Sequence, residues 1–478
     1  MTLEYLNSFI LKFSPFFLWY FALINFAYCF FLFIGSMNIF YRRFYLTGTK
    51  PIDSVKSIIM PSIGFIIPFF NEDGKIFNKV ENLIHLNYPN KKIYLVNDGS
   101  KKGLVERLIG QYEFVQIPQL FDNTLETKNI IACYQSKSQT NLFLIDKEHG
   151  TKYDALNCGI NATDADYLIT TDVDTLVDEK GFKSILEPVF SDPTLIACGT
   201  SIRILNGYGF SYTKVFFKKF SQGILPIIQT IEYLRSFFIR IGINALNTNF
   251  VVAGAFSIFP RKILLELGGF APTVAEDMEI IMRMQRLMRK HKRPFKIFYI
   301  PDPVAWTEVP ETLKHLGRQR SNWHRGLIEC FWFHKVFFLN PRYGLAGLLG
   351  YPFGLFCEIL EPLVELIGYI SIFFGIYFSY LNYEYVILML SFSLGFTFFF
   401  SISCLFVEEL SFNKFPKLKA TISLVVFSLF ENFGYRQLSI FWRLRGILEF
   451  FIQFPRIHKE HLKIKKLMKS YRLSKTEL

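Results

Sequence analysis

Two kinds of hydrophobic pattern alternate along this chain. Phe16–Ile39 is almost wholly apolar and long enough to span a bilayer, and from Leu345 onward the chain becomes strongly apolar again. Between these regions, short apolar runs end in polar or glycine-containing turns and alternate with stretches of helical periodicity. The pattern predicts a soluble α/β domain joined to membrane-spanning segments.

The central region predicts strands and helices in alternation. Buried strands are predicted at Ile63–Phe70, Lys92–Asn97, Leu142–Ile145, Tyr167–Ile169, Leu195–Leu205, Phe250–Phe259 and Lys296–Pro301. Helices are predicted from an N-cap at Asn71 to about Leu86, from Lys152, over Ile224–Ile241, from Glu276 to about Lys290, and over Thr312–Phe333. The stretch from Gly103 to Asn141 predicts only a helix and loops. Because the first strands are separated by helices, we expect a parallel sheet built from βαβ units.

The C-terminal region predicts two or three membrane segments. Leu345–Phe378 contains at least one span, Val386–Phe406 is a second, and Ala420–Tyr435 is short for a third. If Ala420–Tyr435 crossed the membrane, the lysine-rich tail from Arg456 would lie outside, against the tendency of basic segments to stay in the cytoplasm. We therefore expect this segment to be re-entrant or interfacial.

Three carboxylates share a helical face inside the first of these segments, at Glu358, Glu361 and Glu365. Carboxylates at membrane depth usually face a protein interior or a polar path. The alternative is that they lie at the membrane interface and are solvated. The sequence leaves both arrangements open.

Composition supports a membrane protein. Apolar residues make up 51% of the 478 residues, and phenylalanine alone contributes 56. The net charge of +13 is concentrated beside apolar segments, at Arg42-Arg43, at Lys218-Lys219 and in the tail. This placement fits cytoplasmic flanks and anionic lipid, and no nucleic-acid-binding motif is present. The seven cysteines are scattered without a CxxC pair, which predicts neither disulfides nor a zinc site and fits a reducing, cytoplasmic compartment.

Polar chemistry is concentrated where predicted strands end. Asp172-Val173-Asp174 directly follows the strand at Tyr167–Ile169, which is where open α/β sheets bind their ligands. Two carboxylates suit a hard divalent cation, and such a cation suits a diphosphate. Taken alone, the motif is more typical of an ordinary turn with solvated aspartates than of a metal site, and only its combination with the other motifs favours the latter.

Other strand and helix ends carry weaker signals. Asp98 can accept hydrogen bonds from a base or ribose, and Gly99 permits close backbone approach, although Asn97–Ser100 is also ordinary turn chemistry. Lys152 opens a helix, where a cation can hold phosphate charge. Gly254 is small enough to let a substrate approach the backbone.

Acidic residues open the helix that begins at Glu276. Glu276, Asp277 and Glu279 lie in its first turn, where the helix dipole favours negative charge. Capping of the helix is therefore a sufficient role for Glu276 and Glu279.

Seven motifs occur in a characteristic order. They are PFFNE (Pro68–Glu72), NDGS (Asn97–Ser100), GTKYDALNCG (Gly150–Gly159), DVD (Asp172–Asp174), GAF (Gly254–Phe256), EDME (Glu276–Glu279) and RQRSNW (Arg318–Trp323). The series resembles the processive, membrane-bound family 2 glycosyltransferases, which include cellulose, hyaluronan, chitin and poly-N-acetylglucosamine synthases. The resemblance covers roughly Ile63 to Gly326 and implies a GT-A-like, Rossmann-like α/β domain with a mostly parallel sheet.

On the donor side, the resemblance implies a role for five residues. Glu72 and Asp98 would hold the uridine of a UDP-sugar. Lys152 and Asp172 would hold the rest of the donor. Asp174 would bind Mg²⁺ or Mn²⁺ bridging the diphosphate.

On the acceptor side, the resemblance makes Asp277 the general base that deprotonates the acceptor hydroxyl, with Glu276 beside it. Sugar transfer from a nucleotide needs such a base, and it needs cations on the leaving diphosphate. Asp174 and Asp277 supply separate carboxylates for these two tasks. Gln319, Arg320 and Trp323 would match the motif near the diphosphate and the acceptor sugar, and Trp323 offers an apolar platform for a sugar face.

The chain departs from the family pattern at one position. The family has Gln-x-x-Arg-Trp, but Asn322 stands where the arginine is expected. Arginine suits a diphosphate because its planar fork donates two parallel hydrogen bonds. Arg325 lies three residues further along the predicted helix, on nearly the same side, and is the expected substitute.

The sequence therefore predicts five segments. They are an N-terminal transmembrane helix (1–45), a cytoplasmic glycosyltransferase domain (46–310), amphipathic interface helices (311–344), a C-terminal transmembrane region (345–455) and a basic tail (456–478).

The expected activity is that of a multi-pass enzyme of the inner (plasma) membrane. It would transfer a hexose or N-acetylhexosamine from UDP-GlcNAc or UDP-glucose to a growing polysaccharide with inversion, and pass the product through its own spans. Transfer of one sugar to polyprenyl phosphate or another lipid is the enzymatic alternative. A catalytically inactive membrane scaffold is the alternative from another class, against which the intact aspartates argue.

Overall fold

The structure is a computed structural model. It describes residues 2–41, 60–72, 74–101, 103–119, 121, 124–218, 223–378, 383–412 and 418–470. The basic positions Arg42, Arg43, Lys219 and the end of the tail beyond residue 470 lie outside the described residues, so the structure says nothing of them.

The central domain is built on one large mixed sheet. Its strands are β1 (Ile63–Phe69), β2 (Lys91–Asp98), β3 (Phe114–Ile117), β4 (Ile130–Ser136), β5 (Leu142–Lys147), β6 (Tyr167–Thr171), β7 (Thr175–Val177), β8 (Leu195–Ile204), β11 (Phe256–Pro260) and β12 (Lys296–Thr307), and a separate hairpin contains β9 (Tyr208–Ser211) and β10 (Lys214–Phe217). The strand order is β3-β4-β5-β2-β1-β6-β11-β8-β12-β7.

The centre of the sheet is parallel. Strand β1 pairs with β2 on one side and β6 on the other, with Ile63 opposite both Lys91 and Tyr167. Strand β5 continues the parallel arrangement beyond β2. The carboxyl ends of these strands meet at one edge, so this register brings Asp98 and Asp172 to the same side of the sheet.

The second half of the sheet is mixed. Strand β11 runs antiparallel to β6 and β8, whereas β8 and β12 are parallel. The predicted α/β fold with a mostly parallel sheet is confirmed.

Fifteen helices surround or extend this sheet. They are α1 (Thr2–Tyr41), α2 (Lys75–Ile84), α3 (Leu104–Gln111), α4 (Lys152–Ala162), α5 (Glu179–Phe190), α6 (Ile224–Ala245), α7 (Arg261–Leu267), α8 (Glu276–Lys290), α9 (Leu313–Phe333), α10 (Ala346–Ile359, mainly π-helical), α11 (Glu361–Tyr377), α12 (Tyr383–Phe412), α13 (Leu418–Phe430), α14 (Tyr435–Ile452) and α15 (Phe454–Ser470) among the described residues.

Both faces of the sheet are covered by apolar packing. Strand β1 shows why, because Phe65 and Ile67 face a core shared with α2 and α5, while Ile66 points to the other face and packs with residues of α4 and α8. This alternation is the period-two pattern of a strand buried on both sides. The sheet is therefore a rigid support for the loops at its carboxyl edge.

Two described helices are long and apolar enough to cross a membrane. They are Pro15–Tyr41 within α1 and Val386–Phe412 within α12, and the pair α10–α11, bent by 42°, would make a third span if counted as one. Helix α6 packs against α1 and α12 through Phe237, Phe238 and Ile241. The predicted spans at Phe16–Ile39 and Val386–Phe406 therefore fall within helices of suitable length.

The three carboxylates predicted on one helical face all meet arginines. Arg240 lies 3.3 Å from Glu358, Arg443 lies 3.0 Å from Glu361, and Arg436 Nε donates to Glu365 at 2.9 Å. Glu365 is 5% exposed. Because their partners come from α6 and α14, these carboxylates face the protein interior, which favours the first of the two arrangements left open by the sequence.

The C-terminal helices return to the sheet domain. Helix α13 ends at Phe430, and α14 begins at Tyr435 after a short turn. Helix α15 then packs Ile457 and Ile464 against Ala271 and Phe333. The start of the tail thus lies beside the sheet domain, and the re-entrant or interfacial placement of Ala420–Tyr435 stays a prediction.

Some predicted element boundaries were wrong. Helix α2 begins after Gly74 and not at Asn71, whose amide oxygen instead accepts a hydrogen bond from the Lys101 N–H. The strand predicted at Phe250–Phe259 begins only at Phe256, so Gly254 lies in the preceding loop. The stretch from Gly103 to Asn141 contains β3 and β4 as well as a helix. Both strands are partly exposed, at and next to the edge of the sheet, so their apolar alternation is weak, which explains why the sequence did not predict them.

We expect Gly242→Ala to destabilise the contact between α1 and α6. A Cβ at Gly242 would stand 2.0 Å from the Phe31 carbonyl oxygen, so the two helices would have to separate. Overpacking of this kind costs about 1–3 kcal/mol, which thermal unfolding of the purified protein in detergent would detect as a lower melting temperature.

Gly368→Ala in α11 is the matched control, because a Cβ there meets no atom within 4 Å. It should be neutral or slightly stabilising, since alanine favours a helix more than glycine does. Equal melting temperatures for the two variants would contradict a close crossing of α1 and α6.

Candidate functional site

The turn between β6 and β7 carries the two aspartates. The Asp172 N–H donates to the Ala255 carbonyl at 3.3 Å, and the Thr175 N–H donates back to the Asp172 carbonyl at 3.3 Å. The hydroxyls of Thr175 and Thr307 each lie 3.3 Å from Asp174 Oδ1. The turn is therefore fixed by strands on both sides of it.

Electrostatics in this turn favour an added cation. Burial, together with the charge of Asp172, raises the pKa of Asp174 above its usual value, although Lys75 opposes the shift. Two carboxylates that repel each other in a partly desolvated turn are stabilised by positive charge. A divalent ion would supply that charge.

The residues of the turn fit a divalent cation held together with a ligand. Among the described residues, no group of three or more His, Cys, Asp or Glu side chains converges on a metal position. Mg²⁺ is commonly bound through one or two carboxylates plus substrate phosphates and water, not by an all-protein cage. Asp174, with Asp172 beside it, is a donor set of this kind.

Lys152 joins the two halves of the site. Its ammonium lies 2.8 Å from Asp172 Oδ1 and 3.0 Å from Glu276 Oε1. Loss of hydration alone would lower the pKa of Lys152, but these two carboxylates raise it well above its usual value. Lys152 therefore stays charged and connects the aspartate turn to the start of α8.

Asp277 is held at the first turn of α8. Its Oδ2 accepts a hydrogen bond from the Gly254 N–H at 2.9 Å, and its Oδ1 accepts one from the Met278 N–H at 2.8 Å. Burial and the neighbouring Glu276 raise the pKa of Asp277 to about 6, although Lys152 opposes the shift. A carboxylate of this pKa is suited to accept a proton near neutral pH.

Asp98 is already surrounded by donors. Its carboxylate accepts hydrogen bonds from Lys147 Nζ at 2.8 Å, from the Gly150 N–H at 2.8 Å and from the Thr151 N–H at 2.9 Å. Thr151 has a φ of +78°, which is unusual for a residue with a side chain. Asp98 thus stabilises the strained loop that leads into Lys152, and its contact with uridine stays a prediction.

Two further predicted donor residues have clear surroundings. Glu72 is exposed and acts electrostatically on Asp174 and Lys75. Gly99 has a φ of +74°, and a Cβ there would stand 2.9 Å from the His149 N. The close approach that Gly99 permits is therefore to the His149 loop of the protein itself.

Helix α9 carries the residues of the arginine- and tryptophan-rich motif. Arg320 donates to Glu232 at 2.6 Å and lies 4.5 Å from the centre of the Trp323 ring. The Trp323 side chain is half exposed, and Gln319 Oε1 is buried without a hydrogen-bond partner in the described part of the chain. Tyr233 lies near the Trp323 ring, and the charges of Asp172 and Asp174 also act on it, so it links α9 to the aspartate turn.

Arg325 lies elsewhere on α9. Its nearest charged partners are Glu329 at 3.4 Å and Glu449 of α14 at 3.8 Å. The structure brings Lys152, Asp172, Glu276 and Asp277 together but gives Arg325 different neighbours. The proposed substitution of Arg325 for the missing arginine stays a prediction.

Sequence reasoning missed the residues that support these groups. Lys79 is fully buried on α2 and donates to the Thr171 hydroxyl at 2.7 Å and to the Thr175 carbonyl. Burial lowers its pKa to about 7, against the opposing charges of Asp172 and Asp174. The signal was a lysine within the apolar face of a helix, which is also typical of a side chain extending to solvent.

Comparison with known proteins finds similarity over most of the residues that form this site. The family described as glycosyl transferase family group 2 matches residues 167–402, which include the aspartate turn, Asp277 and helix α9. Poly-beta-1,6-N-acetyl-D-glucosamine synthase from Staphylococcus aureus is 28% identical over 304 residues, covering 61% of each chain. The same-named synthase from Staphylococcus epidermidis is 27% identical over 283 residues, covering 56% of each.

A solved structure was also found. The mannosyltransferase of Pyrobaculum calidifontis, in complex with GDP-Man and Mn²⁺, aligns with a TM-score of 0.48 and 14% identity, covering 90% of this chain and 98% of that one.

The chain spans about three-fifths of the length of the curated relatives that it matches. The matched residues include every element that contributes Asp172, Asp174, Gly254 and Asp277. Residues 167–402 are therefore similar to a family 2 glycosyltransferase domain, and this similarity includes the turn of Asp172 and Asp174 and the start of α8.

Proposed function

We propose that this protein transfers a sugar from a UDP-sugar to a growing polysaccharide, with inversion at the anomeric carbon. The main support for the proposal is that the Lys152 ammonium contacts both Asp172, in the aspartate turn, and Glu276, which is next to the proposed base Asp277. A donor diphosphate bound at the aspartate turn and an acceptor hydroxyl bound at Asp277 would then both lie beside the Lys152 ammonium.

The donor side has the charges that a leaving diphosphate requires. A divalent cation at Asp174, when bound, supplies Lewis-acid stabilisation of the leaving group. Lys152 lies at the first residue of α4, where the free N–H groups and the helix dipole favour phosphate oxygens. It would exchange part of its pairing with Asp172 for the diphosphate when the donor binds.

The base side has a carboxylate suited to proton removal. As the anomeric carbon loses its bond to the diphosphate oxygen, the acceptor oxygen forms a bond to that carbon, and its proton passes to Asp277. Attack from the face opposite the leaving group in a single displacement inverts the anomeric centre. The Gly254 N–H holds the Asp277 carboxylate in place for this step.

The acceptor side has a surface for a sugar ring. Trp323 is 49% exposed, and the Arg320 guanidinium, paired with Glu232, supports one face of its indole. A sugar face stacks on such an apolar ring. Gln319 Oε1, which has no hydrogen-bond partner among the described residues, offers an acceptor on the same helix.

A polysaccharide product is supported by two features. The synthases to which this chain is similar make poly-beta-1,6-N-acetyl-D-glucosamine according to their names, and helices able to cross a membrane flank the domain. UDP-GlcNAc and UDP-glucose are the proposed donors. We propose a multi-pass protein of the inner membrane with its catalytic domain in the cytoplasm.

A donor screen with membranes containing the protein tests the proposal. Each radiolabelled UDP-sugar would be supplied with Mn²⁺ or Mg²⁺, and UDP release and product size would be measured together. We expect UDP release coupled to label in a long, lipid-independent polymer. A single organic-extractable sugar lipid would replace the polymer assignment by lipid glycosylation, and a folded protein without UDP binding would favour a scaffold.

Asp174→Asn should abolish UDP-dependent turnover and weaken UDP binding in Mn²⁺ by about tenfold or more, or about 1.4 kcal/mol. The reason is that an amide is a poor ligand for a hard cation. Calorimetric titration with UDP measures the loss. Wild-type UDP affinity that is equal with and without Mn²⁺ would rule out a metal at Asp174.

Asp277→Asn should leave UDP binding nearly unchanged while the transfer rate falls by about 10²–10⁴-fold, because general base catalysis is lost. Single-turnover transfer assays separate the chemical step from binding. Residual transfer close to wild type would mean that Asp277 only caps α8.

The pH profile should report the same carboxylate. The base acts when ionised, so with its pKa raised to about 6 the rate should fall on the acidic side of pH 6, by about tenfold per pH unit. In Gly254→Ala the rate should fall at a higher pH, and transfer should be slower. The added Cβ would stand 2.9 Å from Asp277 Oδ2 and displace the carboxylate from its N–H donor, and loss of that donor raises the pKa of Asp277 further.

Gly110→Ala on α3 is the control for this variant, since a Cβ there meets no atom within 4 Å. It should keep the wild-type profile. If the transfer rates of Gly254→Ala and wild type fall at the same acidic pH, the titrating group is not Asp277.

A further inference from the structure

Helix α2 contacts the aspartate turn through a polar face that the proposed reaction does not use. Asn82 accepts a hydrogen bond from the Val177 N–H at 2.8 Å and donates to the Val177 carbonyl at 3.0 Å. The Asn82 side chain therefore pairs with the backbone of β7 as a neighbouring strand would. Lys79 lies one helical turn earlier, on the same side of α2.

Lys79 reaches the two residues that bracket the aspartates. Its ammonium donates to the hydroxyl of Thr171, the last residue of β6, at 2.7 Å, and to the carbonyl of Thr175, the first residue of β7. Asp172-Val173-Asp174 is the chain between these two anchors. One side chain thus closes the base of the turn.

The burial of Lys79 is unusual enough to require a reason. Its side chain is among the largest of the fully buried ones, with 0% exposure. A buried ammonium is costly unless hydrogen bonds and nearby negative charge compensate it. Here the compensation comes from the Thr171 hydroxyl, the Thr175 carbonyl and the charges of Asp172 and Asp174.

A simple packing role would be met by an apolar side chain. Methionine or leucine at this position would fill the same space between α2 and the sheet without desolvating a charge. What an apolar side chain cannot do is join both ends of the turn. The geometry therefore points to the turn, and not to the core, as the reason for a lysine.

We propose that Lys79 is a positioning residue for the metal and diphosphate site, holding the Asp172–Asp174 turn in the shape that binds a divalent cation. The inference rests on the proposed function, because it assigns the cation to this turn. Lys79 touches neither the cation nor the donor and acts through Thr171 and Thr175.

Lys79→Met tests this directly in the full-length, detergent-solubilised protein. The Mn²⁺ concentration that half-saturates UDP binding should rise about tenfold or more, as is usual when a group that orients metal ligands is removed. The affinity for UDP without metal should change by less than about twofold. A merely structural role would not separate these two quantities.

Lys91→Met is the matched control. Lys91 is also a buried lysine whose ammonium donates to carbonyls, those of Ile84 at 2.7 Å and Leu86, at the other end of α2. Its loss should lower the melting temperature without changing the Mn²⁺ half-saturation. An equal rise in both lysine variants would overturn the inference.

Thr171→Val provides a second route if Lys79→Met does not fold. It removes the hydroxyl that accepts from Lys79 while keeping the shape of the side chain, and it should raise the Mn²⁺ half-saturation in the same direction. In the double variant the effects should be less than additive, because both changes remove one interaction. Wild-type Mn²⁺ dependence in Thr171→Val and Lys79→Met would mean that Lys79 only packs.

Binding of Mn²⁺ alone, followed by the EPR signal of the free ion, separates this inference from the proposed function. If wild type binds Mn²⁺ but not UDP, the proposed function fails while the Lys79 comparison still stands. If Mn²⁺ binds wild type and Lys79→Met equally well, the positioning role fails even when UDP transfer is observed.

Discussion

One ammonium group, that of Lys152, connects the parts on which this site depends. It lies within 3.0 Å of carboxylates on both the aspartate turn and the first residue of α8. These elements are far apart in sequence and come from opposite halves of the mixed sheet. Removing the charge would leave Asp172, Glu276 and Asp277 to repel one another in a partly desolvated space. In the proposed reaction the same charge would also hold the diphosphate of the donor.

The register and direction of the strands in the sheet position this contact. The parallel register of β1, β2 and β6 brings their carboxyl ends to one edge, and antiparallel β11 brings the loop of Gly254 to the same place. At this edge, Asp277 accepts hydrogen bonds from the Gly254 and Met278 N–H groups. Lys79 donates to Thr171 at the start of the aspartate turn. The apolar helices pack on α6, whose Glu232 pairs with Arg320 of α9. The proposed acceptor helix is in this way tied to the helices that resemble membrane spans.

The sequence predicted the mostly parallel α/β sheet and the aspartate turn because these follow from local patterns. A continuous apolar run marks a strand buried on both faces, and a polar residue directly after it marks a carboxyl end. It also gave Lys152 and Asp277 as chemically suitable groups. It did not give Glu232 as the partner of Arg320 or Glu449 as a partner of Arg325, because these glutamates lie on α6 and α14, distant in sequence and related only through helix packing. Lys79 was missed for a similar reason, since whether a lysine on an amphipathic helix reaches solvent or a buried carbonyl depends on what lies opposite it.

In the proposed reaction a divalent cation at Asp174 and the base at Asp277 act on opposite sides of one donor. Diffraction from crystals of the protein soaked with UDP and Mn²⁺ would locate both groups, because Mn²⁺ gives an anomalous signal of its own. We expect an anomalous peak coordinated by Asp174 and by diphosphate oxygens, with Lys152 turned toward the same diphosphate and the Asp277 carboxylate free to receive an acceptor hydroxyl. A peak remote from Asp172 and Asp174, or a diphosphate bound away from Lys152, would contradict it.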